Sequence, residues 1–283
     1  MRALQVLAGP TALKCLRERG LQPQDIRAIP AAAGGPKGLI LIPLDRFLFG
    51  HWLPRSEQVV HLLGASIGAW RMACACLLDA DAALAQLAAD YIAQRYEHQP
   101  GKAPKARHVS ELFAAKLGER FGGREHEVLS HPRYRLHVFT SRGVRALARD
   151  GRLRTPLGYL GAFASNAVSR RAMGGFLERV IFSDPRDRLP VPTHDYRTHH
   201  VELAENNLGR SILANVVLLS PSPEWVATLP GSKIPDRSDF MAFGDDHDAR
   251  ERLWTRATAE SGRLAEEFEA LTLQPSVEAM PLP

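Results

Sequence analysis

Cysteine, lysine and aromatic residues are all scarce in this 283-residue chain, and long apolar runs are missing. The three cysteines, Cys15, Cys74 and Cys76, are odd in number and too few for a disulfide framework, which favours a reducing compartment. No stretch of about 18 uninterrupted apolar residues occurs, so a membrane-spanning helix is not predicted. The N-terminus carries charges too early for a secretory signal, and Gly9-Pro10 interrupts its short apolar run. We therefore expect a cytoplasmic protein, with peripheral contact at a membrane left open.

The rest of the composition is that of an ordinary globular protein, with 45% hydrophobic and 24% charged residues. The length is sufficient to bury a core, which excludes a disordered chain and a small disulfide scaffold. The net charge of +5 suits anionic partners, lipid headgroups included. Residues 101–155 are basic and residues 236–269 are acidic, and we interpret them as two solvated faces. No nucleic-acid module or interleaved aromatic pattern accompanies the basic stretch, so nucleic acid is not an expected partner.

Strand-like and helix-like segments alternate along the chain. Strands are predicted over 25–33, 59–64, 134–141, 199–203 and 216–220. Helices are predicted over 9–20, 38–49, 69–96 (two helices with a break near Asp79), 205–215 and 245–273, while 174–184 is left undecided between the two. The apolar run at 59–64 lacks alternation, which is typical of a strand covered on both faces. We therefore expect an α/β fold: one three-layer α/β/α domain over 1–283, with a mainly parallel central sheet and an acidic helical segment at about 245–273.

The strongest local signal is the sequence GASIG at residues 64–68, which fits the pattern G-x-S-x-G. A predicted strand precedes it and a predicted helix follows it. In that context Gly64 and Gly68 allow a tight turn, and the serine oxygen lies at the carboxyl end of the sheet near a helix N-terminus. The pattern predicts Ser66 as a nucleophile. The alternative is a plain glycine-rich turn in which Ser66 only caps the helix.

A second glycine-rich run, AGGPKG at residues 33–38, also follows a predicted strand. Consecutive glycines such as Gly34 and Gly35 present backbone N–H groups to a negative charge, as an oxyanion hole requires. A phosphate-binding loop is the rival interpretation, but neither the Walker pattern nor G-x-G-x-x-G is matched. A tight turn without a ligand stays open as a third interpretation.

Together the two runs resemble the patatin-like phospholipases. That family has G-G-G-x-Lys/Arg-G, then G-x-S-x-G, and later Asp-Gly-Gly or Asp-Gly-Ala. Ala33 stands at the position of the first glycine, and residues 34–38 match the remainder. The wider sequence is similar to a bacterial branch of the family over residues 36–49, 62–75 and 218–237.

The resemblance implies a lipid acyl hydrolase with a Ser–Asp dyad. Ser66 would attack the carbonyl of a phospholipid or another ester, and the aspartate would activate the serine. The amides of Gly34 and Gly35 would stabilise the oxyanion, and Lys37 would hold the loop or contact an anionic headgroup. The resemblance implies no metal and no organic cofactor.

The third family motif is missing. By resemblance, a block that carries a strand and the Asp motif belongs between Ala214 and Val216, where the chain has a single residue. The pair Asp150-Gly151 is interpreted as an exposed turn. The dyad aspartate is therefore unassigned. Either another group replaces it, or the chain is a shortened homologue of low activity that binds a lipid or another partner, and both remain open.

Three aspartates, Asp184, Asp187 and Asp195, lie in a proline-rich loop and would reach Ser66 only through the fold. His199 or His200 could serve as the base in a Ser–Asp–His order, which we rank second among the active-enzyme hypotheses. Adjacent histidines in a strand point to opposite faces, so this cluster does not predict a metal site.

Four aromatic side chains, Phe47, Phe49, Trp52 and Trp70, are candidates for a lipid-facing patch, although core packing is expected for at least half of them. We expect lipid or another ester as the ligand.

Overall fold

Seven strands and ten α-helices form the parts of the chain that the computed structural model describes, residues 1–95, 104, 106–149, 151, 153–169, 172–187, 214–229 and 246–282. The strands are β1 Leu4–Ala8, β2 Ala28–Ala31, β3 Val60–Ala65, β4 Tyr134–Gly143, β5 Leu177–Ser183, β6 Val217–Pro221 and β7 Met280–Pro281. The helices are α1 Pro10–Arg19, α2 Ile42–Phe47, α3 Ile67–Ala75, α4 Ala80–Ala93, α5 Ala106–Phe121, α6 Glu125–Leu129, α7 Arg154–Val168, α8 Pro223–Val226, α9 His247–Glu260 and α10 Gly262–Thr272.

The larger sheet has the strand order β2-β3-β4-β5. Strands β2, β3 and β4 run parallel, and β5 returns antiparallel to β4. Ala31 lies opposite Gly64, and Ala65 lies opposite Phe139, so these three parallel strands end at the same edge. The undecided segment 174–184 is therefore a strand, which forms the edge of this sheet.

A second sheet has the order β6-β1-β7, with β1 antiparallel to β6 and parallel to β7. The α/β class is confirmed, but the described residues form two mixed sheets rather than one mainly parallel sheet. The difference arises from β1, which was not predicted as a strand and which takes β6 as its partner. The predicted strand at 216–220 is present, but it is only partly buried, since it packs at an edge with Leu218 exposed.

The faces of β3 are unequally buried. Val60, Leu62 and Gly64 are buried, whereas the alternating residues, such as His61 and Leu63, are half-buried. The expectation of a strand covered on both faces is therefore confirmed for one face, and the other face is only partly covered. Helix α3 packs on the sheet from the face that Leu62 occupies, and a buried ion pair ties α3 to α2, with Arg71 Nε 2.5 Å from Asp45 Oδ2.

Four further expectations concern helices. Helix α1 begins at Pro10 as predicted, and the break near Asp79 separates α3 from α4. Segment 38–49 is helical, as a 3-10 turn Gly35–Leu41 that leads into α2. The predicted helix at 245–273 is two helices, α9 and α10, with the break at Ser261.

Core packing was expected for at least half of the four candidate aromatic residues, and this is confirmed. Phe49 and Trp52 are 3% and 2% exposed, and Phe47 and Trp70 pack against the same hydrophobic core. Their edge-on ring contacts, such as Trp52 to Phe268 at 5.1 Å, are those of a packed interior. None of the helices in the described ranges is long and apolar enough to cross a membrane.

Candidate active site

Ser66 occupies a sharp turn between β3 and α3. Its backbone has φ 52° and ψ −127°, and within the described chain only Arg145 shares a positive φ among non-glycine residues. Such a conformation costs about 1–3 kcal/mol and persists only where the surroundings impose it. The side chain of Ser66 is exposed, so the strained turn presents the hydroxyl to solvent.

The two glycines that flank Ser66 are required by close approach of the backbone. A Cβ built on Gly64 would lie 2.4 Å from Ala69 Cα, in the first turn of α3. A Cβ built on Gly68 would lie 2.2 Å from the carbonyl oxygen of Ala31, at the end of β2. Both glycines thus allow α3 to start directly against the sheet, as the elbow motif predicts.

The Ser66 hydroxyl does not cap α3. Its side chain makes no cap hydrogen bond, whereas its carbonyl oxygen accepts from the N–H groups of Ala69 and Trp70 at 2.9 and 3.3 Å. The capping interpretation of the motif is therefore wrong for this conformation. The hydroxyl lies instead beside the N-terminus of α3, where unpaired N–H groups favour a developing negative charge.

The glycine-rich loop lies next to this turn. It follows β2, whose last residue Ala31 pairs with Gly64, and it continues into the 3-10 turn Gly35–Leu41. A Cβ on Gly38 would lie 2.9 Å from Ile67 Cγ2, so the turn packs directly on the first residue of α3. The structure thus brings the two sequence motifs together at the carboxyl ends of the parallel strands β2 and β3.

Within the loop, Gly35 has φ 54° and Gly34 precedes the 3-10 turn. The N–H groups that begin a helical turn have no partner within it, so the amides of Gly34 and Gly35 are the loop's candidate donors. The amide of Lys37 is already used, since it donates to the carbonyl of Gly34 at 3.3 Å. The Lys37 side chain is exposed.

An open cavity of about 670 Å³ lies in front of Ser66. Its lining consists of Pro30, Ala31, Ala32, Ala33, Leu63, Gly64, Ala65, Ser66, Phe139, Thr140, Ser141 and Arg179. Small and apolar side chains predominate, and Arg179 is the charged residue in this set. Ser66 and Ala33 therefore line the same cavity, whereas Gly34, Gly35 and Lys37 are not among its lining residues.

Arg179 was missed by the sequence reasoning because segment 174–184 was undecided. In β5 it lies opposite Ser141 of β4, two residues beyond the position that pairs with Ala65. The strand register alone brings its guanidinium to the cavity. A strand prediction for this segment, with Arg179 between Glu178 and Val180, would have been the available signal.

The candidate bases Asp184 and Asp187 lie at the wrong end of the sheet. The N–H of Asp184 donates to the carbonyl of Leu136, which pairs with Leu62, four residues before Ser66. At about 3.3 Å per residue this leaves roughly 13 Å along the strand. The fold therefore brings neither aspartate to Ser66, in line with the expectation that only a chance of folding would do so.

Both aspartates already have cationic partners. Asp184 accepts two bonds from the Arg186 guanidinium at 2.7 and 3.0 Å, and Asp187 accepts from Arg135 at 3.2 Å. Burial opposes the ionisation of Asp184, but the bonds from Arg186 outweigh it and lower the pKa of that carboxyl.

The other proposed bases, Asp195, His199 and His200, lie outside the described residues, as does Asp150. Across the described ranges no carboxylate or imidazole is hydrogen-bonded to the Ser66 hydroxyl. The group that would activate Ser66 therefore stays unassigned.

A histidine pair that the sequence reasoning did not single out lies in the same sheet. His61 Nδ1 and His137 Nε2 are 3.0 Å apart, and His137 is fully buried. Burial and the neighbouring His61 lower the pKa of His137 to about 4. His137 pairs with Leu63, three residues before Ser66, which is too far for a base at the hydroxyl.

No group of three histidine, cysteine, aspartate or glutamate side chains within the described segments could hold a metal ion. Cys74 and Cys76 are buried and unpaired, and burial raises the pKa of Cys74 to about 12, which makes a redox pair there unfavourable. Comparison of the chain with protein-family models, with curated proteins and with solved structures found no match.

Proposed function

We propose that the protein is a serine acyl hydrolase with a patatin-like fold, which cleaves phospholipid or other carboxylic esters with Ser66 as nucleophile. The backbone of Ser66 carries this proposal, since φ 52° and ψ −127° hold an exposed hydroxyl on a strained strand-to-helix turn. A turn that only reversed the chain would relax to an unstrained conformation or use glycine at that position.

The cavity supports an acyl substrate. Its apolar lining, with Leu63 and Phe139, suits a hydrocarbon chain that extends away from Ser66. In the proposed reaction Ser66 Oγ attacks the ester carbonyl, and a base accepts the hydroxyl proton. The alcohol leaves with that proton, and water then hydrolyses the acyl-serine.

The oxyanion of the tetrahedral intermediate would be stabilised by amides at the edge of the sheet. The first N–H groups of α3 and those of Gly34 and Gly35 are the donors that this edge offers. Lys37 would attract an anionic headgroup to the loop. The chemistry needs no metal and no organic cofactor.

A second candidate function, binding of lipid or a partner without efficient catalysis, is supported by a separate observation. Because no carboxylate or imidazole is hydrogen-bonded to Ser66 within the described segments, the chain also fits a catalytically impaired homologue that binds lipid or a partner. Such a protein would keep the elbow and the cavity but would turn over esters very slowly.

One experiment separates the two candidates. Wild type, Ser66→Ala and Ser130→Ala are treated with a fluorophosphonate probe and assayed with p-nitrophenyl esters, and the labelled peptide is identified by mass spectrometry. Ser130 is exposed and precedes β4 at the opposite edge of the sheet, so Ser130→Ala is the matched control. Labelling at Ser66, with hydrolysis lost only in Ser66→Ala, supports the hydrolase. A folded wild type without label or turnover supports the second candidate.

A further inference from the structure

Helix α7 has its small residues inside and its large apolar residues outside. Gly158 and Ala162 are its buried positions, and a Cβ on Gly158 would lie 2.6 Å from Leu147 Cδ2. A Cβ on Gly161 would lie 2.8 Å from the ring of Phe176. The face with small residues therefore packs closely against the rest of the protein. In an ordinary amphipathic surface helix the large apolar residues occupy the buried face instead.

The opposite side of α7 is a large exposed apolar surface. The exposed side chains, with relative exposures from 58% to 86%, are Leu153, Leu157, Tyr159, Leu160, Phe163 and Val168. Five of them lie on one helix of 15 residues and Leu153 directly precedes it, and together they form a patch of the kind that marks a binding surface. We call these six residues the α7 patch.

The sequence that flanks α7 is rich in arginine, whereas the helix itself is almost free of charge. Residues 155–169 contain no charged side chain. Residues 142–154 contain five arginines and one aspartate, and Arg170 and Arg171 follow the helix. An uncharged apolar helix that follows an arginine-rich segment matches the apolar interior and the anionic headgroups of a phospholipid leaflet.

This arrangement argues against a second copy of the chain as the occupant. Two α7 patches placed face to face would bring two copies of the arginine-rich segment before α7 into one interface, and like charges in an interface oppose association. A bilayer with anionic lipid instead satisfies both the apolar patch and the arginines that precede it.

The position of α7 relates the patch to the cavity. The helix lies in the connection between β4 and β5, after Gly143, which pairs with Leu177. Gly143 is four residues beyond Phe139, which pairs with Ala65 next to Ser66. The helix thus leaves the sheet at the same edge as the Ser66 turn.

We propose that α7 docks the protein on an anionic phospholipid bilayer through the α7 patch. Docking involves no reaction at Ser66, so it goes beyond the proposed hydrolase activity and holds for an impaired homologue as well.

The test measures co-sedimentation of the full chain with phosphatidylcholine vesicles that contain or lack phosphatidylserine. All proteins carry Ser66→Ala, so that no lipid is cleaved during the assay. The double variant Leu157→Ser/Phe163→Ser is compared with Leu117→Ser/Leu129→Ser, whose two leucines are also exposed but lie on α5 and α6.

We expect the parent protein to bind the anionic vesicles, and the α7 double variant to lose about tenfold or more in affinity. The control variant should bind as the parent does. Added salt should weaken binding, since the arginines contribute by charge. No binding by the parent, or equal binding by the α7 variant, overturns the proposal. A parent that forms dimers disrupted by Leu157→Ser/Phe163→Ser also overturns it, in favour of a protein interface.

A second measurement covers the case in which the double variant does not fold. Phe163→Trp places a fluorophore in the α7 patch without removing apolar surface. Vesicles with brominated acyl chains should quench this tryptophan beyond the quenching seen for the four native tryptophans. No additional quenching contradicts insertion of α7.

Discussion

The backbone of Gly68 lies against that of Ala31, so closely that a Cβ on Gly68 would meet the Ala31 carbonyl oxygen at 2.2 Å. Gly68 belongs to the first turn of α3, and Ala31 ends β2, just before the glycine-rich loop. The contact therefore fixes the distance between the Ser66 turn and the loop that supplies the candidate oxyanion donors. Neither segment can shift without the other.

We predict that Gly68→Ala destabilises the protein by about 2 kcal/mol or more, because the added methyl group overlaps main-chain atoms that cannot rotate away. It should also reduce fluorophosphonate labelling of Ser66 in the fraction that stays folded. Urea unfolding and probe labelling measure the two effects.

The control for this substitution is Gly118→Ala in α5, where a Cβ would meet nothing within 4 Å. Alanine in a helix interior should stabilise by about 0.5–1 kcal/mol there. Equal effects of the two substitutions would show that the close approach at Gly68 is absent in solution.

The strain at Ser66 gives a second prediction. Ser66→Gly and Ser66→Ala both remove the hydroxyl, but only glycine adopts φ 52° without steric cost. We expect Ser66→Gly to be more stable than Ser66→Ala by about 1 kcal/mol in chemical unfolding. The matched control is Ala69→Gly within α3, where glycine should instead cost about 1 kcal/mol. A Ser66→Ala protein at least as stable as Ser66→Gly would argue that the turn is relaxed.

The Ser66 turn could be predicted from the sequence because its signals are local. An apolar run, two glycines and a helical pattern are contiguous, and they specify the strand, the turn and the helix without reference to the rest of the chain. The same holds for α1, where Pro10 begins the helix and Gly20, at φ 70°, ends it.

The sheet topology could not be predicted in this way. Strand β1 has the alternation of a strand, with Leu4, Val6 and Ala8 buried, but it is short and directly precedes Gly9-Pro10. Its antiparallel partner β6 lies more than 200 residues away in the chain. No local sequence pattern indicates that pairing. The second sheet could therefore not be predicted, and one mainly parallel sheet was expected instead.

Arg179 leads to a prediction about substrate charge that presupposes Ser66 as the nucleophile. Its guanidinium is the charged group in the cavity lining, which is otherwise apolar or hydroxylic. We expect Arg179→Gln to lower kcat/KM about tenfold for an ester with a carboxylate on its acyl chain, since an ion pair in a partly buried site is lost. For the neutral ester of equal length kcat/KM should be nearly unchanged.

The assay compares p-nitrophenyl butyrate with the mono-p-nitrophenyl ester of succinic acid. Arg142→Gln serves as the control, because Arg142 is exposed and pairs with Glu178 outside the cavity lining. Equal losses on both esters, or no hydrolysis of either by the wild type, would contradict the prediction.

The acid sensitivity of the fold should depend on two buried histidines. Burial, together with nearby charges, lowers the pKa of both His137 and His131 to about 4. The neutral form of His131 is needed in the native state, since its Nδ1 accepts a hydrogen bond from the N–H of Tyr134 at 2.9 Å. In the unfolded chain both rings bind a proton near pH 6.5.

Between about pH 6.5 and pH 4 the unfolded state therefore holds protons that the native state lacks, and the free energy of unfolding must fall as the pH falls. We expect a loss of about 1.5 kcal/mol for each histidine between pH 6.5 and pH 5, a range above the titration of most carboxylates. Urea unfolding across this range measures the slope. His137→Leu should reduce the slope by about half, whereas His126→Gln, at an exposed position, should leave it unchanged. A His137→Leu protein with the wild-type slope would mean that His137 is protonated in the native sheet, where its Nδ1 has no hydrogen-bond partner.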